Sequence, residues 1–249
     1  MVDQVVIERR FNGPPNSAHG GYACAVAAQF LDWSAEVSLK APPPLDTPMS
    51  VRRDGDGVFL EHEGEVVIAA RPADLELEVP EPISLAEAEQ AAASCPWLDK
   101  HPFPSCFGCG FERPPDDGLF EFPGPVSARK DLWAAVWKPH RSLTGGADEV
   151  LPIFTFSALD CPSGAGAISA TGAEGVFVLG RMTGKVVRAA HADVPHVVIA
   201  WPILVDGRKR FGGAAIFRDD ELCAFAESLW VELRDPSQFE AAEGSGLGA

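Results

Sequence analysis

Three places in this sequence put reactive groups where they can act. His19-Gly20-Gly21 opens HGGYACAVAAQFLD (19–32), a run nearly free of charge that predicts a buried helix. The first N–H groups of a helix have no partner inside it and lie at its positive dipole end, and glycines there let a ligand approach the backbone closely. His19 either contacts such a ligand or only orients the helix start. Asp160 ends a second apolar run, DEVLPIFTFSALD (148–160), where partial desolvation would raise a carboxyl pKa toward general-base work on water. The plainer reading makes Asp160 a helix-end residue bonding backbone N–H groups where Pro162 stops the helix.

The third place is Cys106-Phe107-Gly108-Cys109-Gly110, a single Cys-x-x-Cys with Cys95 and His101 upstream. Cys95, His101, Cys106 and Cys109 are a conceivable tetrahedral zinc set. A second Cys-x-x-Cys pair is missing, however, so the favoured reading is a loop that packs over the rest of the chain with cysteine as a small apolar residue. No metal and no cofactor are expected. Cys161 has no suitably placed base and is expected to be inert. Arg208-Lys209-Arg210 reads as a solvated hairpin turn.

The elements that must position these groups fall into two halves. Ten of the 22 prolines lie between Pro72 and Pro125, with an acidic run at the start, so this stretch is neither one long helix nor a central strand. Within it, Ser84 and Glu87 have capping-box spacing at the start of a short helix. Before it come VVI, the turn cluster NGPPN, the first apolar run, and three strand-like runs: AEVSLKA, VFLEHE and EVVIAAR. After it, DLWAAVWK, a turn with Gly145 and Gly146, the second apolar run and four long strand-like runs repeat the order. The expected parts are residues 1–80, a Pro-rich linker with the Cys-x-x-Cys loop over 81–126, residues 127–236, and a flexible tail over 237–249. A formal net charge of −16 argues against nucleic acid as a partner. Six cysteines without secreted-scaffold spacing read as reduced thiols, and no run is apolar enough to enter a membrane, so a cytoplasmic protein is expected.

A nearly all-apolar helix needs burial on most sides, which a curved antiparallel sheet supplies. That arrangement, the His19-Gly20-Gly21 opening, and RMTGKVVRAA followed by VVIAWPILVDGRKRFGGAAIFRDDELCAFAESLWVEL resemble the hotdog fold of acyl-CoA thioesterases and dehydratases, in its double form. The resemblance spans about residues 1–80 and 127–234. It implies an α+β protein of two hotdog modules, each a long buried helix wrapped by a curved antiparallel sheet. It also implies binding of an acyl thioester such as a coenzyme A ester, with hydrolysis by carboxylate-directed water attack; an enzyme is implied only if the catalytic set is complete. Gly20, Gly21, Gly145 and Gly146 would then receive the thioester, Asp160 would direct water, His19 would orient the helix start or touch the thioester, and Arg113 would meet coenzyme A phosphates. At the family's Asn and carboxylate positions the first half has Gly13 and Ala28, flanked by Asn12 and Gln29, which become the candidate substitutes. The Asp-His pair of the thioesterase II type and the hydratase motif are absent. These departures keep open a non-catalytic acyl-thioester or lipid-binding module. A homo-oligomer is allowed by the same pairing logic.

Overall fold

The computed structural model describes residues 4–239. The tail expected over 237–249 lies, from residue 240 onward, outside the described residues. No helix among the described residues is long and apolar enough to cross a membrane.

Among the described residues eleven strands form one antiparallel sheet: β1 (Gln4–Val6), β2 (Ser34–Leu39), β3 (Pro48–Asp54), β4 (Gly57–His62), β5 (Glu65–Pro72), β6 (Gly124–Pro125), β7 (Trp133–Trp137), β8 (Phe177–Val186), β9 (His196–Asp206), β10 (Lys209–Arg218) and β11 (Glu221–Glu232). Their order is β1-β3-β4-β5-β2-β8-β11-β10-β9-β7-β6. The two halves meet where β2 pairs with β8, Ser34 opposite Lys185 and Ser38 opposite Arg181. From that seam outward come β5, β4, β3 and β1 on one side and β11, β10, β9 and β7 on the other. Turn chemistry fixes the hairpin registers. Glu63 and Gly64, both at positive φ, join β4 to β5, as the primed hairpin turns require. β3 is the strand the sequence hides. PMSVRRD buries only Met49, with Val51 half-buried and a largely exposed Arg-Arg-Asp end, so its apolar alternation stops after two residues.

Among the described residues four α-helices lie against the sheet: α1 (Gly20–Ala28), α2 (Leu85–Ala92), α3 (Pro152–Ser157) and α4 (Asp160–Ala167). α1 packs on α3 and on β2, β5 and β8, with seven of its residues buried. The expected long second helix is broken in two. Pro162 does not end it but sits in the first turn of α4, where its missing N–H leaves the Ala158 carbonyl without the bond that would have joined α3 to α4. Asp160 consequently begins a helix instead of closing one. Gly145 and Gly146 lie in an exposed turn well before Pro152, so they do not open α3.

α4, with the sequence DCPSGAGA, has weak helix propensity, and tertiary packing decides its state. Its small residues let it lie almost on the backbone of the sheet. A Cβ at Gly212 of β10 would stand 2.5 Å from the Ser163 carbonyl oxygen and 2.8 Å from Ala167 N. Gly212→Ala should therefore cost about 1–3 kcal/mol of stability by overpacking, since backbone is all that can yield. Urea unfolding with an unchanged midpoint would refute this close contact. α2 carries the capping box of Ser84 and Glu87 and covers the opposite face, where Ile83, Ala88 and Ala91 meet Ala134, Ile199 and Phe217 in a second apolar cluster. The Pro-rich segment is thus partly structured and packs against the second half.

Candidate functional site

His19 is the N-cap of α1. Its Nδ1 accepts the Tyr22 N–H at 3.1 Å, so the ring carries its proton on Nε2. That Nε2 lies 3.1 Å from Asp160 Oδ2 and 3.3 Å from Cys161 Sγ. Asp160, the first residue of α4, also takes the Gly21 N–H on Oδ2 at 2.6 Å. The first turn of α1 fits here only because residue 21 has no side chain: a Cβ there would stand 2.5 Å from Asp160 Cβ and 2.6 Å from the Ser157 carbonyl. The N-terminus of α1, from the first half, therefore meets a carboxylate carried by the first residue of α4, from the second. His19 and Asp160 are each 2% exposed. Burial raises the Asp160 pKa, against the lowering effects of His19 and the Gly21 hydrogen bond.

The two Asp160 oxygens have different roles. Oδ2 is held by two donors, whereas Oδ1 is buried with no hydrogen-bond partner among the described residues. Gly20, Asp160, His19 and Cys161 line one cavity of about 1010 Å³, whose wall is otherwise largely apolar, including Leu39, Phe177, Leu179 and Trp230. Lys40 and Lys100 are its lysine or arginine lining residues among those described. Gly20, as the first residue of α1, has an N–H outside the helical ladder, and no hydrogen bond to it is found among the described residues.

The structure thus brings His19, Gly20, Gly21 and Asp160 together and leaves the other candidates elsewhere. Gly145 and Gly146 are in the exposed turn. Gln29 is the C-cap at the far end of α1, with its amide on the Val26 carbonyl. Asn12 is buried behind the Cys-x-x-Cys loop and bonds Ser105 and Arg113. Arg113 is absent from the cavity lining. Its side chain is 6% exposed, and its five N–H groups are taken by Asp117 (twice), Asn12, Ser105 and Arg10. A guanidinium so committed has no donor left for a phosphate, which removes the physical basis for that expectation.

Two further features stand beside these residues, and the second went unread in the sequence. The Cys-x-x-Cys loop folds down on the site, so close that a Cβ at Gly108 would stand 2.5 Å from Cys161 Sγ and 2.6 Å from His19 Nε2. Glu121, between Phe120 and Phe122, is fully buried with both carboxyl oxygens unpartnered. Its flanking aromatics were the available signal. Burial pushes its pKa well up, and Asp160 and Cys106 push it further. A carboxyl raised in the folded state binds a proton that the unfolded chain releases near pH 4.5. Stability is therefore lost as pH rises from there to the folded pKa, at up to about 1.4 kcal/mol per pH unit. Glu121→Gln removes that slope, so the variant's advantage should widen from pH 5 upward. Parallel stability curves for the two proteins would show that Glu121 is not held protonated.

No family model and no curated protein sequence matches the chain. Solved structures do. A TesB protein of Mycobacterium avium subspecies paratuberculosis has a TM-score of 0.59 at 12% identity, over 89% of each chain. A conserved protein from Alicyclobacillus acidocaldarius described as having the hotdog fold has a TM-score of 0.58 at 10% identity, over 93% of each chain. Acyl-CoA thioesterase II TesB2 of Mycobacterium marinum has a TM-score of 0.51 at 14% identity, over 93% of this chain and 95% of its own. The chain has the hotdog fold, and the resemblance is to thioesterases of that fold.

Proposed function

We propose that this chain binds an acyl thioester, of the coenzyme A ester class, in the cavity beside α1 and hydrolyses it with water directed by Asp160. The observation that carries the reading is that Asp160, whose Oδ1 has no hydrogen-bond partner among the described residues, lines the same cavity as Gly20, at the helix start where an amide is left over. The thioester carbonyl oxygen would accept the Gly20 N–H. Water would give a proton to Asp160 as its oxygen bonds the carbonyl carbon, the oxyanion would collapse with cleavage of the C–S bond, and the Asp160 proton would pass to the leaving thiolate. His19 is a positioning residue, holding Asp160 Oδ2 with Nε2–H and α1 with Nδ1. Lys40 and Lys100 supply local positive charge for a phosphorylated ligand on an otherwise acidic protein.

In this reading residues 1–80 and 127–236 are two hotdog modules joined by 81–126, as the matching strand sequences on either side of the β2–β8 seam suggest, and the protein works in the cytoplasm. A second reading, a binding module without turnover, is favoured by the near-complete burial of His19 and Asp160 beneath the Cys-x-x-Cys loop. Thiol release from a panel of acyl-CoAs, with binding followed by calorimetry, separates the two. Turnover of any member above the buffer rate supports the first reading. Binding without turnover supports the second, and neither would refute both.

A further inference from the structure

The three cysteines beside the site come from two distant segments, Cys106 and Cys109 from the loop and Cys161 from α4. They form one buried cluster, with Trp97 and Phe103 packed around it. Cys106 Sγ and Cys161 Sγ are 4.0 Å apart. That is close to the edge of about 3.8 Å in a tetrahedron with metal–sulfur bonds of about 2.3 Å, and far beyond the bonded distance of about 2.05 Å in a disulfide. Cys106 and Cys161 also lie with His19 Nε2 in a group whose donor atoms are all within 4.8 Å of one another; Cys109 is outside that group and joins the two sulfurs through the shared buried cluster. All three cysteines line the cavity.

We propose that Cys106, Cys109 and Cys161 form a three-sulfur site for a tetrahedral divalent metal of the zinc class, with its fourth position facing the cavity. The donor set differs from the one the sequence offered: Cys95 lies outside the cluster, and Cys161 takes its place. The loop has the shape such a site needs. It closes by Gly110 N–H to the Cys106 carbonyl at 2.8 Å, and a Cβ at Gly110 would stand 2.5 Å from the Cys106 carbonyl oxygen.

The two histidines are partners of the sulfurs and not ligands. His101 Nδ1 accepts the Phe103 N–H at 2.8 Å, as His19 Nδ1 accepts that of Tyr22, so each ring presents Nε2–H to a sulfur: His101 to Cys109 at 3.1 Å, and His19, whose Nε2–H is shared with Asp160 Oδ2 at 3.1 Å, to Cys161 at 3.3 Å. N–H donors of this kind offset the excess negative charge of three thiolates on one divalent ion and orient them. Cysteines serving only as small apolar filler would not call for two directed imidazole donors. Bound metal would fasten the loop to α4 directly above His19. The proposal stands apart from thioester hydrolysis, since its test uses no acyl ligand.

The test is a titration of metal-stripped, reduced protein with Co²⁺, followed by its absorption, beside a zinc determination on protein grown with zinc. One metal per chain, tetrahedral ligand-field bands and a sulfur-to-cobalt charge-transfer band of three-thiolate intensity are expected. In Cys161→Ser that band should fall by about a third, and in Cys223→Ser, a buried cysteine outside the cluster, it should not change. Metal far below one per chain, a band of two or fewer thiolates, or an undiminished band in Cys161→Ser would overturn the proposal. Should Cys161→Ser fail to fold, the stoichiometry and band intensity of the unsubstituted protein still decide.

Discussion

Asp160→Asn should lower turnover of the best acyl-CoA substrate by about 10²–10⁴-fold, the usual contribution of a general base, while leaving affinity for that substrate nearly unchanged. Asparagine is close to isosteric. Its side-chain oxygen can still accept the Gly21 N–H and the His19 Nε2–H, so the contact between α1 and α4 and the cap on α1 survive. What stands in place of the unpartnered Oδ1 is then an amide nitrogen, which cannot take a proton from water. A structural role would show itself differently, as lost stability or weakened binding with turnover per bound ligand retained. His19→Ala is the contrasting variant: it removes the donor to Oδ2 and the cap together, so it should reduce both stability and turnover. Rates for Asp160→Asn within a few-fold of the parent, measured by thiol release at saturating substrate, would exclude Asp160 as the base.

The sequence carried the four long strands of the second half because β8 to β11 are rich in Val, Ile, Phe and Trp, with Asp-Gly and Asp-Asp turns joining β9 to β10 and β10 to β11, but not their full order, since β8 pairs with β11 and not with β9. It did not carry β3, whose edge position beside the short β1 leaves its side chains largely in water. The candidate site was legible one residue at a time. An apolar run opened by His-Gly-Gly points to a helix start, and a carboxylate beside an apolar run points to a desolvated acid, but their meeting depends on packing between residues about 140 positions apart. Gly145 and Gly146 mislead because two glycines in a turn look the same whether a helix follows at once or only after an exposed turn. The cysteine cluster was legible only as a Cys-x-x-Cys. Nothing local ties Cys161 to Cys106, 55 residues away, and the burial that joins them is a property of the whole fold.

Arg113→Ala should cost about 3–5 kcal/mol, since three oxygens lose their donor at about 1–3 kcal/mol each, less where water reaches them. The guanidinium joins three pieces of chain. It holds Arg10 and Asn12 of the first half, Ser105 at the start of the Cys-x-x-Cys loop, and Asp117 beyond it, and it lies over the Phe107 ring at 5.6 Å. Without it, the carbonyls of Arg10 and Ser105 and the Asn12 side-chain oxygen lose their donor, and no other cation replaces it against them. Arg141, which pairs with Asp148 and Asp193 at the surface with 61% of its side chain exposed, is the control: Arg141→Ala should cost no more than about 1 kcal/mol, because water solvates every group it leaves. Arg113→Lys should recover little, since an ammonium has three donors and no planar fork to span these acceptors. Because Ser105 and Phe107 flank Cys106, the loop over His19 should also open more often, seen as faster amide exchange across 105–110 while the β10 and β11 amides keep their protection. Urea midpoints for Arg113→Ala and Arg141→Ala that fall together would show that this arginine does not tie the loop to the first half.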